Sequence, residues 1–284
     1  MTSKKPWPAL TLAAGPVEVS PRVLREQSRP VLYHYDPAFI ELFGQVCHLV
    51  QQAFRTKYDV VLMQGEAILA LEAAAASLFE PGDKVLNLVS GIFGKGYEHF
   101  IRRYGGEPVE LAVPYNDAID SAEVQAVLEA QPDIKYLSVV HSETPSGTVN
   151  PIEAIGRIAR AHGVLTIVDT VSGLGSELLS PEGWNMDIAI AGPQKCLGAP
   201  PGLSLVTVSP AAWEAMERHR PPLRGSFLSL LDWRDTWLAK KTFPYTPSVS
   251  TVYGLEAALL AMLEVGVERY VERHQSIARA CRRG

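Results

Sequence analysis

Five short and almost unbroken apolar runs recur along this chain: Val60-Val61-Leu62-Met63, Val85-Leu86-Asn87-Leu88, Tyr136-Leu137-Ser138-Val139-Val140, Val164-Leu165-Thr166-Ile167-Val168 and Ile188-Ala189-Ile190-Ala191. A strand with one wet face alternates apolar and polar residues, whereas a run without alternation has to be covered on both sides. Most of the stretches between the runs carry helical patterning. The fold class implied is α/β, a largely parallel sheet with helices on both faces. The clearest helix start is His34-Tyr35-Asp36-Pro37, with Asp36 as cap and Pro37 at the first helical position, where a missing N–H costs nothing. Phe39, Phe43, Val46, Val50 and Phe54 then repeat at helical spacing and predict one buried face. A late pattern, Val249, Val252, Leu255, Leu259 and Met262, stops at Gly266. Another helix begins at Val267 and runs into Arg282-Arg283-Gly284, an ending that reads as the start of a further unit.

Composition narrows the function classes. A chain of 284 residues, 47% of them hydrophobic, buries a sizeable core without disulfides. Lys and Arg number 26 against 31 Asp and Glu, a net charge of −5, and no long basic block is present to neutralise a phosphate backbone. A nucleic-acid partner is not expected. Cys47, Cys196 and Cys281 are scattered and odd in number, without the paired spacing of zinc or redox motifs, so no metal site and a reducing, cytoplasmic setting are expected. Lys4 and Lys5 precede a short apolar patch interrupted by prolines, read as part of an N-terminal arm over 1–20. The most apolar stretch, 67–79, contains Glu72 and falls well short of the roughly 20 residues that cross a bilayer, so no membrane partner is expected.

Familiar catalytic signatures fail one by one. Gly91-Ile92-Phe93-Gly94-Lys95-Gly96 has the glycines in the wrong order for a dinucleotide loop and Gly96 where a phosphate loop needs Ser or Thr. Neither GxSxG nor HExxH occurs. His34, His99 and His141 lack sequence partners and read as structural.

Ligands of doubly wound sheets bind beyond the carboxyl ends of the strands, and four segments fall there. Asp169 directly follows an apolar strand, a costly place for a carboxylate unless it meets a cation; a helix cap or a structural ion pair is the alternative. Lys195 lies in Gly192-Pro193-Gln194-Lys195-Cys196-Leu197-Gly198-Ala199-Pro200-Pro201-Gly202, where desolvation favours the neutral amine used in imine chemistry; an exposed loop lysine is the alternative. Gln64-Gly65-Glu66 precedes an Ala-rich helix whose N-terminus attracts anions, unless it only caps that helix. Glu143-Thr144-Pro145-Ser146-Gly147-Thr148 offers hydroxyls in a turn, which an ordinary turn also explains. Taken together, a strand-end Asp and a later strand-end Lys are what a pyridoxal enzyme uses, the acid to keep the ring nitrogen protonated and the amine to hold the aldehyde.

In this order the motifs resemble the class V (fold type I) aminotransferases related to alanine–glyoxylate and serine–glyoxylate transaminases. The resemblance runs from Gly15-Pro16-Val17 to the end through Tyr35-Asp36-Pro37-Ala38-Phe39, Gly65-Glu66, Gly94-Lys95-Gly96, Thr144-Pro145-Ser146-Gly147-Thr148, the lysine loop and Thr246-Pro247-Ser248-Val249-Ser250. It implies a large pyridoxal-binding domain over 21–266 and, from 267–284, the start of a small C-terminal domain largely absent from this chain. That domain supplies the family's substrate-carboxylate arginine, and none of Arg269, Arg273, Arg279, Arg282 or Arg283 matches its motif. By resemblance Lys195 is the Schiff-base lysine and Asp169 the partner of the pyridine nitrogen. Phe93 stacks on the ring, Thr144 bonds near the ring hydroxyl, Gln194 lies beside the 5′ substituent, and Thr246 reaches the site of a neighbouring subunit in a homodimer or homotetramer. The family's cofactor is pyridoxal phosphate, bound where Gly65 and Glu66 stand. A carboxylate at Glu66 repels a phosphate, and the runs resemble most those members acting on pyridoxamine. The expected reaction therefore moves an amino group from free pyridoxamine to pyruvate, a 2-oxo acid, giving pyridoxal and L-alanine. A pyridoxal-phosphate-dependent glyoxylate-type aminotransferase and a noncatalytic vitamin B6-binding remnant are the alternatives.

Overall fold

The computed structural model describes residues 11–283; the beginning of the expected N-terminal arm, with Lys4 and Lys5, lies outside the described residues, as does Gly284. The chain opens with α1 (Pro21–Gln27) and α2 (Pro37–Phe54) and then alternates: β1 (Asp59–Gln64), α3 (Ile68–Leu78), β2 (Lys84–Val89), α4 (Ile92–Arg103), β3 (Glu107–Ala112), α5 (Ser121–Ala130), β4 (Ile134–Val140), α6 (Ile152–Ala161), β5 (Leu165–Asp169) and β6 (Ile188–Ala191). After β7 (Leu203–Val208) come α7 (Pro210–Arg218), α8 (Leu230–Trp233) running on into a π-turn, α9 (Val249–Val265) and α10 (Val267–Arg283). The strands form one sheet in the order β1-β7-β6-β5-β4-β2-β3. β2, β3, β4, β5 and β6 are parallel to one another, and only β7, between β1 and β6, runs against the rest. The expected mostly parallel sheet covered on both faces is thus the observed one.

Each element follows from local chemistry. In α2, Asp36 Oδ1 accepts from the Ala38 N–H at 2.8 Å, Pro37 opens the first turn, and the five predicted residues Phe39, Phe43, Val46, Val50 and Phe54 are fully buried. Burying an aromatic or aliphatic side chain of this size contributes about 1.5–3 kcal/mol each, which is what holds α2 on the sheet. β2, β4, β5 and β6 are buried nearly throughout, as strands covered on both sides must be. Two strands lie outside the five apolar runs. β3 is an edge strand whose Glu107, Pro108 and Glu110 break its apolar character. β7 follows the glycine- and proline-rich loop directly and buries Ser204 and Thr207 among its apolar residues.

Because β1 and β6 both run against β7, the carboxyl ends of β1, β2, β4, β5 and β6 all open on the same edge of the sheet. That edge carries the chemistry.

Candidate active site

A cleft of about 240 Å³ opens there, and Glu66, Phe93, Thr144, Asp169, Gln194 and Lys195 all line it. Each comes from the connection after a different strand, with Gln194 and Lys195 sharing one loop. A larger groove of about 620 Å³ lies at the opposite, amino end of the strands, lined by residues such as Asp133, Lys135, His162 and His219. The predicted site residues are absent from it. Thr246 is exposed in a third groove beside Tyr33 and His34, apart from the cleft of its own chain.

Asp169 ends β5 almost fully buried, and one carboxylate oxygen accepts from the Val171 N–H at 2.8 Å. Burial pushes its carboxyl up to about 7; the Val171 N–H opposes this, the Glu143 and Glu66 carboxylates add to it, and Lys195 opposes it. The acid therefore sits poised between its two forms until a cation reaches it.

Phe93 stands in the first turn of α4, 42% exposed, as one wall of the cleft. Its position is set by Glu143, fully buried, whose carboxylate accepts from the Gly94 N–H at 2.9 Å and the Phe93 N–H at 3.4 Å. A carboxylate at a helix N-terminus satisfies N–H groups that have no partner within the helix. Gly91 makes the approach possible, since a Cβ there would stand 2.3 Å from Glu143 Cδ. Sequence reading took this segment for its hydroxyls and missed the carboxylate, whose partners lie some fifty residues earlier.

Glu66 does two things at once. One oxygen accepts from the Ile68 N–H at 3.1 Å and so caps the start of α3, while the other accepts from Gln194 Nε2 at 2.7 Å. The capping alternative considered for this residue is therefore real, yet the carboxylate stays in the cleft. Gly65 just before it is anchored by its N–H to the Gly202 carbonyl at 3.0 Å. Lys95 is committed to Glu98 at 2.6 Å and Glu110 at 2.5 Å and leaves Glu66 unneutralised. Gln194 keeps its Oε1 buried without a partner among the described residues. Thr144 Oγ1 lies 2.6 Å from Ser172 Oγ, a second hydroxyl in the cleft that sequence reading did not single out.

Lys195 is held by its backbone. The three successive carbonyls of Gln194, Lys195 and Cys196 accept from the Val17 N–H at 3.0 Å, the Gly198 N–H at 3.0 Å and the Tyr270 hydroxyl at 2.7 Å. Its side chain lies against Gly15, where a Cβ would stand 2.4 Å from Lys195 Cδ and 2.8 Å from Nζ. The N-terminal segment thus forms a wall of the cleft, a contact without local sequence signal.

A buried acid, an amine and an aromatic wall at the carboxyl edge of a mostly parallel sheet define a fold type I aminotransferase. The chain belongs to the class V family of these enzymes: the Aminotransferase class-V family model matches residues 26–284. It is 48% identical over 277 residues to pyridoxamine–pyruvate transaminase of Mesorhizobium japonicum, covering 98% of this chain and 70% of that protein. The solved pyridoxamine–pyruvate aminotransferase of Mesorhizobium loti superimposes with a TM-score of 0.93 at 48% identity, over 96% of this chain and 70% of that one. The ureidoglycine–glyoxylate aminotransferase of Bacillus subtilis gives a TM-score of 0.91 at 30% identity, with the same coverage of 96% and 70%.

Proposed function

We propose that this aminotransferase moves an amino group between pyridoxamine and pyruvate, giving pyridoxal and L-alanine, with the unphosphorylated ring as a substrate. The observation that carries this reading is the Glu66 carboxylate, already seated at the N-terminus of α3, the kind of position that attracts a phosphate. A phosphate placed about 4 Å from it would be repelled by about 4 kcal/mol per pair of unit charges at an effective dielectric near 20. A 5′-hydroxyl donates a hydrogen bond to the same oxygens. The 48% identity to the Mesorhizobium japonicum enzyme supports the same assignment.

The residues present fit a pyridoxal ring. Asp169 offers a buried carboxylate to the ring nitrogen, Phe93 a flat wall, Lys195 an amine, and Gln194 an unpartnered carbonyl oxygen. When bound, the ring supplies an electron sink for the substrate carbon. Asp169, ionised opposite a bound ring, would hold the ring nitrogen in its protonated form. With the ring bound, Lys195 Nζ would be the group that holds and moves the proton at the substrate carbon. Thr144, hydrogen-bonded to Ser172, would face the ring hydroxyl, and Gln194, bonded to Glu66, would hold that carboxylate toward the 5′ position. Gly65 lets the chain turn into that position. Thr246 serves the cleft of a second copy, so the working unit is a homodimer or homotetramer.

Class V aminotransferases generally use pyridoxal phosphate, and relatives at about 30% identity include an (S)-ureidoglycine–glyoxylate transaminase of Bacillus subtilis. A phosphate-dependent glyoxylate-type enzyme is therefore the second reading. Titrating the protein with pyridoxal and with pyridoxal phosphate, while assaying alanine formed from pyridoxamine and pyruvate, separates the two. Preference for pyridoxal with alanine formation supports the proposal; tighter binding of the phosphate form selects the second reading.

A further inference from the structure

Adjoining the cleft, with Leu71, Phe93, Val140 and Asp169 lining both, is a small cavity of about 20 Å³. Its polar walls are Tyr97 from α4, Asn87 from β2, Ser138 from β4 and the carboxylate of Asp169 from β5, and the remainder is largely apolar. The Tyr97 hydroxyl is buried, has no hydrogen-bond partner among the described residues, and belongs to a residue only 6% exposed. A phenol in that condition forgoes a hydrogen bond, at a cost of about 1–3 kcal/mol. The neighbouring groups are only partly used. Ser138 Oγ donates to Asn87 Oδ1 at 2.7 Å and Asn87 Nδ2 donates to the Gly94 carbonyl at 3.1 Å, leaving one amide N–H and the serine lone pairs free.

An internal water needs roughly 10–15 Å³ and two to four polar partners. This cavity provides the room for one and offers four. We infer that it is a site for a single buried water linking the Tyr97 hydroxyl to the Asp169 carboxylate, which makes Tyr97 a positioning residue for Asp169. Burial holds the phenol protonated, so it donates to the water, and the water donates onward to the carboxylate. The Asn87 N–H and Ser138 Oγ complete its hydrogen bonds.

The consequence for Asp169 has a definite sign. The charged groups facing it are Glu66 after β1, Glu143 after β4 and Lys195 after β6, with Tyr97 on α4. Two of these are carboxylates that disfavour its ionised form. A donated hydrogen bond from the water works against them and holds Asp169 ionised, ready for a ring nitrogen. This last step rests on the assignment of Asp169 in the proposed function; the water site does not.

The test has two readouts, neither involving turnover. A high-resolution crystal structure of the unsubstituted protein should show one compact density peak within hydrogen-bond reach of Tyr97 Oη and Asp169. No peak there, or a direct Tyr97–Asp169 hydrogen bond, overturns the site whether or not any variant folds. The second follows the Asp169 carboxyl by carbon-13 NMR in the ligand-free protein, its signal assigned by its loss in Asp169→Asn. Tyr97→Phe should make Asp169 take up its proton at a pH about one unit higher, a roughly tenfold gain in proton affinity. An unmoved midpoint in a folded Tyr97→Phe protein refutes the positioning role. Failure of the substrate assignment would leave both readouts standing, and their failure would leave that assignment untouched.

Discussion

Replacing Glu66 by Gln removes one negative charge from the cleft and little else. The new amide keeps an oxygen to accept from Ile68, so α3 retains a cap, and its N–H donates to Gln194 once that amide turns its Oε1 toward it. At a separation of about 4 Å the lost repulsion toward a phosphate is about 4 kcal/mol per charge pair for a protein-like dielectric near 20. Glu66 is half-buried, so water and salt screen part of this, and about 2–4 kcal/mol is the working range. That range corresponds to roughly 30- to 1,000-fold in relative affinity. Equilibrium titrations with pyridoxal and pyridoxal phosphate should show the unsubstituted protein preferring the free form. In Glu66→Gln that preference should collapse by the stated factor, mostly through tighter phosphate binding. Raising the salt concentration should shrink the preference in the unsubstituted protein and barely move it in the variant. A ratio of affinities unchanged by the substitution would show that Glu66 does not set the preference.

Four further outcomes are expected. Lys195→Ala should abolish borohydride trapping of pyridoxal on the protein, and a persistent covalent adduct would refute the role given to that amine. Asp169→Ala should slow half-transamination by several orders of magnitude while Asp169→Glu retains part of the rate; normal turnover in the alanine variant would make the residue structural. The same acid governs stability, because it takes up its proton near pH 7 when folded and near 4 when unfolded. The folded chain then binds more protons within that window, and its stability falls as pH rises through it, by up to about 4 kcal/mol. Urea unfolding of ligand-free Asp169→Asn should lack this slope and gain on the unsubstituted protein from pH 4 to pH 7; parallel curves would contradict the burial argument. Gly15→Ala should lower the melting temperature, because Gly15 sits at φ +145°, where an L side chain strains the backbone, and should also reduce the trapping rate because its Cβ would displace Lys195 Cδ, Cε and Nζ. A trapping rate equal to that of the unsubstituted protein would show that Gly15 does not place the amine.

What could be read in advance depended on how local the cause was. α2 was legible because its cap, its proline and its apolar spacing sit within one stretch of chain. The buried parallel strands were legible because coverage on both faces leaves an apolar run. β3 was not, since an edge position tolerates Pro108 and two glutamates, and β7 was not, since its buried Ser204 and Thr207 break the run. In the cleft, Asp169 and Lys195 announced themselves as polar residues closing apolar strands. The Gly15 contact with Lys195, the grip of Glu143 on α4 and the partnerless Tyr97 hydroxyl depend on residues far apart in the chain. Only tertiary structure creates them.

The reversal of β7 bears on time as well as shape. Ala191 pairs with Leu205 across the two antiparallel strands, so the intervening loop is fastened to the sheet at both ends, and three successive carbonyls around Lys195 are tied from separate parts of the chain. The main chain at this lysine is a fixed post, and displacement of the amine falls to the torsions of its methylenes. Such torsions relax in picoseconds to nanoseconds, whereas enzymes typically turn over about 1–1,000 times per second. With Lys195 in the proposed role, repositioning of the amine is far faster than turnover: the pace is set by making and breaking bonds at carbon, proton transfer included, or by the coming and going of substrate.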